Sequence, residues 1–391
     1  MIKTEGYIIE PDSNYDQRRR IPSGPASLIR REIEIPDPGD HEVHVKTLAV
    51  CWEGNMGHAL DRRPIDLCLD RKEPWCLIGN SGVVQVLSCG KGVTQVEPGQ
   101  TCLLFCNGNP DRWGYPQKIY AYDQPGSYGL LARETKVHEL QLIPLPEKSP
   151  LTLQQWAAFA LRGVTAYSNW RLALHTLRGL IFEDELPYIN VGAWGGGVSV
   201  LQAQLAAKQG HKVFMMSSTP ERLEVIRKSG VIPVNRKEFF PDLDYVKYQA
   251  ARSENNQEYL QKYEQSRKSF REKIGELTDG NLVNIFIDYI GSPVLPPTLE
   301  VIAREGIICS AGWKEGMVLT QIRAIECINR VQRISTHYAR RREGFAAAQL
   351  AVHGDIVPIV DEKQYTFDTV PDMAANYLAG KYVFFPVATF N

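Results

Sequence analysis

The alternation of apolar and polar positions changes character near residue 150. Before that point, short runs with a two-residue period are separated by turn-forming stretches such as Pro36-Asp37-Pro38-Gly39 and Glu97-Pro98-Gly99. A two-residue period predicts strands, because successive side chains of a strand point to opposite faces. The predicted strands are 42–50, 81–88, 100–105 and 129–137 continuing to 142. Residues 1–150 are therefore predicted to form an irregular antiparallel β domain.

After Ser149-Pro150 the period becomes helical, and short apolar runs then alternate with helical patterns. Strands separated by helices are typical of an α/β domain with a parallel, doubly wound sheet. The predicted strands are 188–191, 212–216, 284–288, 306–310 and 333–338. The highly charged segment 242–273 is helical in composition, and we interpret it as a solvated helical insertion on the rim of the sheet.

A glycine cluster follows the first of these strands and leads into a helix predicted from about Val198 to Gln209. A strand, a glycine turn and a helix begin a dinucleotide-binding βαβ unit. The glycines let the pyrophosphate approach the backbone, and the amino end of the helix receives its charge. The alternative is an ordinary glycine turn between a strand and a helix. The residues predicted to contact the cofactor here are Gly192, Trp194, Gly195, Gly196, Gly197 and Val198.

Val198 departs from this pattern, because it stands about where the last glycine of the motif is expected. That glycine normally allows the helix to pack close to the strand. Two interpretations remain open. Either the turn uses the Gly195-Gly196-Gly197 run in a shifted register, or the start of the helix is displaced.

The end of the second predicted strand indicates which dinucleotide is bound. An acidic residue there would accept the ribose hydroxyls of NAD, whereas this chain has Ser217-Ser218. Small hydroxyl residues leave room for a 2′-phosphate, and Arg222 or Arg227 can supply its countercharge. We therefore predict NADP, although Glu221 argues against that choice.

Composition limits the range of functions. The chain has 391 residues, a net charge of -1 and 43% hydrophobic residues, which are ordinary values for a globular protein of two domains. The charge gives no electrostatic case for nucleic acid or an anionic membrane, and no run approaches the roughly 20 apolar residues of a membrane span. Because the N-terminus has no signal-like segment, we expect a cytoplasmic location. The eight cysteines include no Cys-x-x-Cys pair and are expected to be reduced thiols without a metal.

Several stretches of the chain resemble a known family. They are Gly163-Val164-Thr165-Ala166-Tyr167, 225–230 with Val234-Asn235-Arg236, 333–339 and Gly354-Asp355-Ile356-Val357-Pro358. With the β domain and the glycine unit, they resemble the medium-chain dehydrogenase/reductase superfamily, and within it the crotonyl-CoA carboxylase/reductase branch. The resemblance implies a GroES-like domain at 1–150, a Rossmann-type NADP-binding domain at 151–345 and a C-terminal segment, 346–391, that returns to the first domain. It also implies a homodimer.

The zinc-dependent members of that superfamily bind catalytic zinc through a cysteine, a Gly-His-Glu motif and a later cysteine. In this chain the motif position reads Gly79-Asn80-Ser81-Gly82, and Arg162 stands near the position of the later cysteine. Cys51 alone cannot hold a zinc ion. The resemblance therefore implies a zinc-free reductase that delivers hydride from NADPH to the β-carbon of an enoyl thioester or ketone.

The resemblance also implies candidates for stabilising the oxyanion and protonating the α-carbon. His337, at the end of the last predicted strand, matches a histidine that helps to bind CO2 in the carboxylating enzymes. Their acid is matched by Gln154 or Gln155, and the region of their asparagine reads Cys51-Trp52-Glu53. We therefore expect no carboxylation and a new polar role for Glu53. The alternatives are a structural strand-end histidine and a carboxylate on a surface loop.

Further residues complete the predicted site. Thr165 is expected near the nicotinamide, with helix packing as the alternative, and Tyr289, Ala311 and Gly312 are assigned to the cofactor. The run Arg340-Arg341-Arg342 either contacts a phosphate-bearing handle such as coenzyme A or a carrier protein's phosphopantetheine, or is a solvated helical turn. The alternatives to the reductase are an enzyme that has kept the fold for non-reductive chemistry and a nucleotide-binding protein of the same superfamily.

Overall fold

The computed structural model describes residues 1–16, 18–311, 318, 320–336 and 338–390. The strands are, in chain order, β1 Ile2–Ile9, β2 Ile29–Ile35, β3 Glu42–Cys51, β4 Cys76–Leu77, β5 Gly82–Cys89, β6 Thr101–Leu104, β7 Asn107–Pro110, β8 Pro116–Ile119, β9 Glu134–His138, β10 Leu142–Pro144, β11 Asn190–Trp194, β12 Lys212–Ser217, β13 Ile232–Asn235, β14 Val283–Asp288, β15 Ile302–Cys309, β16 Arg333–Ser335, β17 Tyr365–Thr366 and β18 Val387–Thr389.

The helices are, in chain order, α1 Gly54–Asp61, α2 Leu67–Arg71, α3 Leu153–Arg178, α4 Gly197–Lys208, α5 Pro220–Lys228, α6 Arg236–Phe239, α7 Tyr245–Ser253, α8 Gln257–Leu277, α9 Leu295–Val301, α10 Arg341–Val352 and α11 Val370–Leu378. Two short 3₁₀ helices, Glu139–Gln141 and Phe367–Thr369, and a π-helix, Arg323–Asn329, are also present. Within the described ranges, no helix is both long and apolar enough to cross a membrane.

The chain divides into two compact units. The first comprises Met1–Val164 with Tyr338–Asn391, and the second comprises Thr165–His337. Besides the segment 346–391, the first unit takes in residues 151–164 and 338–345, which the sequence analysis assigned to the second domain.

The first unit is a set of mainly antiparallel sheets around one apolar core. Its largest sheet has the order β10-β6-β5-β3-β18-β17, with β9 also paired to β3. The strand β3 alternates buried and half-buried residues along most of its length, as a strand between a core and a more polar face should. The C-terminal strand β18 pairs with it at Val387 opposite Cys51. The C-terminus of the chain thus supports the strand end that carries Glu53.

The second unit is a six-stranded parallel sheet of order β13-β12-β11-β14-β15-β16. The strands β11 and β14 are neighbours. From β11 the chain adds β12 and β13 toward one edge of the sheet, and from β14 it adds β15 and β16 toward the other edge, so the strand order reverses between β11 and β14. This reversal is the switch point at which doubly wound sheets bind ligands, at the carboxyl ends of the strands. The predicted α/β class is confirmed. The strands that were not predicted include β1 and β2 of the first unit and β13 of the second. The first parallel strand begins at Asn190, two residues later than predicted, and Tyr188 is exposed.

The charged segment of the second unit differs from its prediction. It forms the helices α7 and α8, but Tyr263, Phe270 and Ile274 of α8 are at most 2% exposed. These three residues belong to the core cluster of the unit, with Phe214 and Phe286 of the sheet. The prediction of a solvated insertion is therefore wrong for one face of α8, because apolar residues three to four positions apart form a stripe among the charges.

Candidate active site

The glycine turn lies at the carboxyl end of β11, and its backbone explains two of its glycines. Gly195 has a φ of 120°, which side chains rarely allow. A Cβ on it would also lie 2.5 Å from the Ser199 hydroxyl. On Gly192, a Cβ would meet the ring of Phe286 at 2.7 Å. The turn and the strand therefore need glycine at both positions.

The helix α4 begins at Gly197, with Gly196 as its N-cap, so Val198 lies in its first turn. Both interpretations of Val198 stay open. The Ser199 hydroxyl donates to the Trp194 carbonyl at 2.7 Å and closes the turn. Among the described residues, and leaving out the chain neighbours of Gly196, no atom lies within 4 Å of the place where a Cβ on Gly196 would stand. This open space next to helix-terminal N–H groups suits the pyrophosphate of a dinucleotide.

The Trp194 side chain lies in the core and not in the turn. It is 2% exposed, its indole N–H donates to the Thr298 hydroxyl at 2.9 Å, and its ring stacks on Phe270 at 5.5 Å between centroids. The prediction that its side chain contacts the cofactor is therefore corrected to a packing role. Only its backbone takes part in the turn.

The end of β12 carries the residues predicted to select NADP. Ser217 closes the strand and is 8% exposed, and Ser218 follows it. Arg222 lies in the first turns of α5, whose N-terminal residue is Pro220. Arg227, the other candidate, pairs with Glu224 on the same helix. By position, Arg222 is the better countercharge for a 2′-phosphate, because it lies at the start of α5 next to the end of β12, whereas Arg227 lies in the last turn of the helix.

A buried polar network follows the ends of β14 and β15. Asn169 Nδ2 donates to the Tyr289 hydroxyl at 2.8 Å and to the Ser310 carbonyl at 3.1 Å. The Tyr289 hydroxyl donates to Gln202 Oε1 at 2.7 Å, and Gln202 Nε2 donates to the Cys309 sulfur at 2.9 Å. Burial raises the pKa of Tyr289 well above its usual range. The phenol is therefore a fixed neutral wall of the turn, with its Cβ 3.1 Å from the Cβ position of Gly195.

The other predicted cofactor residues are placed less specifically. Thr165 is half-buried on α3, and Ala311 follows β15. Gly312 and the predicted catalytic residue His337 lie outside the described residues.

In the first unit, Glu53 is part of a buried ion pair. It follows β3 and is the N-cap of α1, and its Oε2 accepts from Arg162 Nε at 2.7 Å, with both side chains 4% exposed. The same guanidinium donates to the Trp52 carbonyl at 2.5 Å and to the Phe384 carbonyl. The alternative of a carboxylate on a surface loop is therefore wrong. Glu53 and Arg162 are 109 residues apart in sequence, and the sequence analysis treated them separately.

The electrostatics of this pair differ from those of a metal site. Burial raises the pKa of Glu53, and the charge of Arg162 partly offsets that rise. Burial also raises the pKa of the Cys51 thiol well above its usual range, so the thiolate that zinc needs is disfavoured. Elsewhere among the described residues, no group of three His, Cys, Asp or Glu side chains could hold a metal ion. The donor set here does not fit the zinc site of the resembled dehydrogenases.

Gln155 is not placed for catalysis. Its Oε1 accepts from the backbone N–H of Thr152 at 2.9 Å, and its own backbone N–H donates to the Thr152 hydroxyl at 3.2 Å. The two residues therefore cap the start of α3. Its Nε2 donates to the Pro358 carbonyl at 3.2 Å. The predicted catalytic role of Gln155 is therefore replaced by a structural one.

The arginine run 340–342 is largely engaged within the first unit. Arg340 pairs with Glu343 at 2.6 Å at the start of α10, and Arg341 donates to the Leu140 and Leu142 carbonyls at 3.1 Å. Arg342 is exposed. The structural alternative thus accounts for the first two arginines.

Sequence reasoning missed some of the polar residues around these sites. Asn80 and Asn169 are buried and carry amide atoms without a partner among the described residues. Arg162 was noted only because it stands near the position of a zinc-binding cysteine in the resembled dehydrogenases. A signal for Arg162 was present, because a charged residue inside the apolar run 156–164 must find a buried partner.

No family model matches the chain. It is 24% identical over 304 residues to a 2-haloacrylate reductase from Burkholderia sp., a match that covers 78% of this chain and 74% of that one.

Solved structures share the fold over nearly the whole chain. A crotonyl-CoA carboxylase/reductase in complex with NADP has a TM-score of 0.76 and 19% identity, covering 99% of this chain and 94% of the other. A 2-octenoyl-CoA carboxylase reductase in complex with NADP and 2-octenoyl-CoA has a TM-score of 0.79 and 18% identity, covering 99% and 88%. An NAD-dependent alcohol dehydrogenase has a TM-score of 0.74 and 18% identity, covering 99% and 100%. The chain thus shares the fold of these solved structures, and the resemblance to the crotonyl-CoA carboxylase/reductase branch is confirmed at the level of the fold.

Proposed function

We propose that this protein is an NADPH-dependent, zinc-free reductase of the C=C bond of an α,β-unsaturated thioester or ketone, acting without carboxylation. The observation that carries the proposal is the buried Glu53–Arg162 pair at the place where the resemblance puts zinc ligands. A guanidinium fixed by three acceptors cannot coordinate a carbonyl as a metal does. A conjugated C=C bond accepts hydride without such a metal, because the adjoining carbonyl takes up the charge.

The second unit supports the cofactor part of the proposal. NADPH supplies the hydride when it is bound. Gly195 and Gly196 would admit its pyrophosphate beside the amino end of α4. Ser217 and Arg222 would accommodate its 2′-phosphate, and Tyr289 would wall the turn. The relatives with related activities or bound NADP support the same choice.

The absence of carboxylation is supported by two positions. Gln155 has no carboxyl group, and its amide is engaged with Thr152 and Pro358. Glu53 stands in the region where the resembled carboxylases have an asparagine, and its carboxylate, which Arg162 already holds, offers no amide to bind CO2. The α-carbon would therefore receive a proton.

The partners of the reductase are a small acyl thioester or enone and, from the resemblance, a second copy of the chain. Coenzyme A or a carrier protein could bear the acyl group. Ile322, Ile325 and Ile328, in and beside the π-helix, are each 48% exposed or more. Such a group of exposed isoleucines is compatible with a dimer, whose formation stays a prediction.

The proposed activity is tested by following NADPH absorbance with crotonyl-CoA, an enone and 2-chloroacrylate as separate substrates, with and without bicarbonate and with a chelator. We expect oxidation of NADPH with at least one of the first two, a product two hydrogens heavier than the substrate, and no effect of the chelator. A product that carries an added carboxyl group would contradict the reaction as proposed. Tight NADPH binding with no turnover would favour the nucleotide-binding alternative.

NADPH is expected to bind more tightly than NADH, and Arg222→Ala should remove most of the difference. A charge-assisted hydrogen bond to the 2′-phosphate contributes about 1.5 to 3 kcal/mol. Arg227→Ala on the same helix is the matched control and should leave the preference intact, because Arg227 lies in the last turn of α5, away from the end of β12. Fluorescence titration of each protein with both cofactors measures the effect. Equal affinities of the unmodified protein for NADPH and NADH would contradict it.

His337 is expected to contribute to turnover and not to folding. An imidazole that donates to the developing oxyanion or relays a proton contributes roughly 10²- to 10⁴-fold. His337→Ala and His337→Asn should therefore lower the rate by at least about tenfold, with melting temperature and NADPH affinity near those of the unmodified protein. A large loss of stability with full specific activity would instead identify a structural histidine.

A further inference from the structure

Two residues beside the Glu53–Arg162 pair carry buried hydrogen-bond donors that have no partner in the part of the chain that the structure describes. The indole Nε1 of Trp52 and the amide Nδ2 of Asn80 are both in this state, and the two residues are 0% and 1% exposed. A buried donor without a partner costs about 1 to 3 kcal/mol. Because the two donors lie in adjoining segments, a single ligand oxygen could accept hydrogen bonds from both.

The register of the sheet places the two residues opposite each other. Val50 pairs with Gly82, and the Cys51 amide donates to the Ser81 carbonyl at 3.0 Å. One further step of this antiparallel register puts Trp52 opposite Asn80. This step lies just past the ends of the two paired strands at Cys51 and Gly82. Opposite residues of neighbouring segments have Cβ atoms about 5 Å apart, so the Trp52 and Asn80 side chains are neighbours.

The backbone around Asn80 is held firmly. Gly79 has a φ of 110°, and a Cβ on Gly82 would lie 2.3 Å from the Ala49 carbonyl oxygen. Asn80 thus sits in a short segment that packs directly on β3. Donors fixed in advance in a buried site stabilise developing negative charge strongly, because they need no reorganisation during the reaction.

We propose that Trp52 Nε1 and Asn80 Nδ2 together bind the carbonyl oxygen of the substrate and stabilise the enolate formed when hydride reaches the β-carbon. This inference rests on the proposed function and identifies the group that replaces the metal. Asn80 stands at the position of the zinc-binding histidine in the resembled dehydrogenases. Two N–H groups then polarise the carbonyl where those enzymes use a cation.

The first test compares rates of NADPH oxidation with crotonyl-CoA. Asn80→Leu keeps the approximate volume and removes the donor, and Trp52→Phe keeps the ring that lies 6.5 Å from Tyr377 and removes the N–H. We expect kcat to fall by about 10²- to 10³-fold for Asn80→Leu and at least about tenfold for Trp52→Phe, with unchanged NADPH affinity. Thr47→Val is the matched control, because Thr47 is buried on the same strand with an unpartnered hydroxyl oxygen, and its kcat should stay near that of the unmodified protein.

The second test does not depend on turnover. It compares by calorimetry the binding of butyryl-CoA with that of S-butyl-CoA, a thioether without the carbonyl. The unmodified protein should prefer the thioester by about tenfold, the value for two neutral hydrogen bonds. Asn80→Leu should reduce the preference, and the double variant Asn80→Leu with Trp52→Phe should bind both ligands alike. Equal binding of the two ligands by the unmodified protein, or full kcat in Asn80→Leu, would overturn the inference. If none of the enoyl substrates supports NADPH oxidation by the unmodified protein, the proposed function fails. The ligand comparison then still decides whether this donor pair binds a carbonyl.

Discussion

Arg162→Met should destabilise the protein by about 3 to 5 kcal/mol, the usual cost of leaving a buried charge without its partner. Glu53 is buried with its Oε1 already unpartnered, and Arg162 is the cation that pairs with its Oε2. The substitution also removes the donor to the Trp52 and Phe384 carbonyls. Urea unfolding of the variant and the unmodified protein measures the difference.

The loss in Arg162→Met should depend on pH in a direction that follows from Glu53. Burial holds the pKa of Glu53 above its ordinary value of 4.5, and Arg162 opposes that rise. Without Arg162 the folded variant takes up a proton that the unfolded chain has released. Its stability is therefore retained at low pH and falls as pH rises from about 4.5 through the raised folded pKa. A second variant, Glu53→Gln with Arg162→Met, should recover much of the loss and remove the pH dependence. A loss below about 1 kcal/mol at every pH would contradict the buried pair.

Trp194→Ala should also cost about 3 to 5 kcal/mol, the range for deleting a large buried aromatic side chain. The indole fills the core between Phe240, Phe270 and Phe286 and holds a hydrogen bond to Thr298. Because the side chain does not line the turn, the folded fraction should bind NADPH nearly as well as the unmodified protein. Thermal unfolding and fluorescence titration measure the two quantities separately.

Two controls sharpen the Trp194 prediction. Trp194→Phe keeps an aromatic ring and removes the bond to Thr298, so its loss should be smaller. Trp113 is 62% exposed, and Trp113→Ala should leave stability almost unchanged. Unchanged stability with lost NADPH affinity in Trp194→Ala would instead restore the side chain to the cofactor site.

The sequence predicted the glycine turn and most parallel strands because their signals are local. A strand period, a glycine run and a helix start each lie within a few residues. The Glu53–Arg162 pair has no local signal, since its members meet only when α3 packs beside the end of β3. The apolar face of α8 was missed for a different reason. Charge composition was averaged over the segment, whereas Tyr263, Phe270 and Ile274 are visible only when the helical period is followed.

The site was predictable in part for the same reason. Ser217 and Gly195 were found by their distance from a strand end, and Gln155 was found by its matching position. Position alone could not show that Thr152 and Pro358 engage the Gln155 amide. Asn80 was noted for lacking an imidazole, and only burial revealed that its own amide atoms need partners.

The stacking of Trp194 on Phe270 ties the glycine turn to the α7–α8 insertion, so the two should be inherited together. An aromatic residue inside a glycine motif is tolerated here because α8 supplies the other half of its pocket. Chains of this fold without the helical pair should carry a small residue at this position. Excising the pair to shorten the protein would expose the indole unless Trp194 were replaced at the same time. The turn and α8 therefore form one packing unit. An attempt to graft the turn onto another scaffold would have to bring α8 with it.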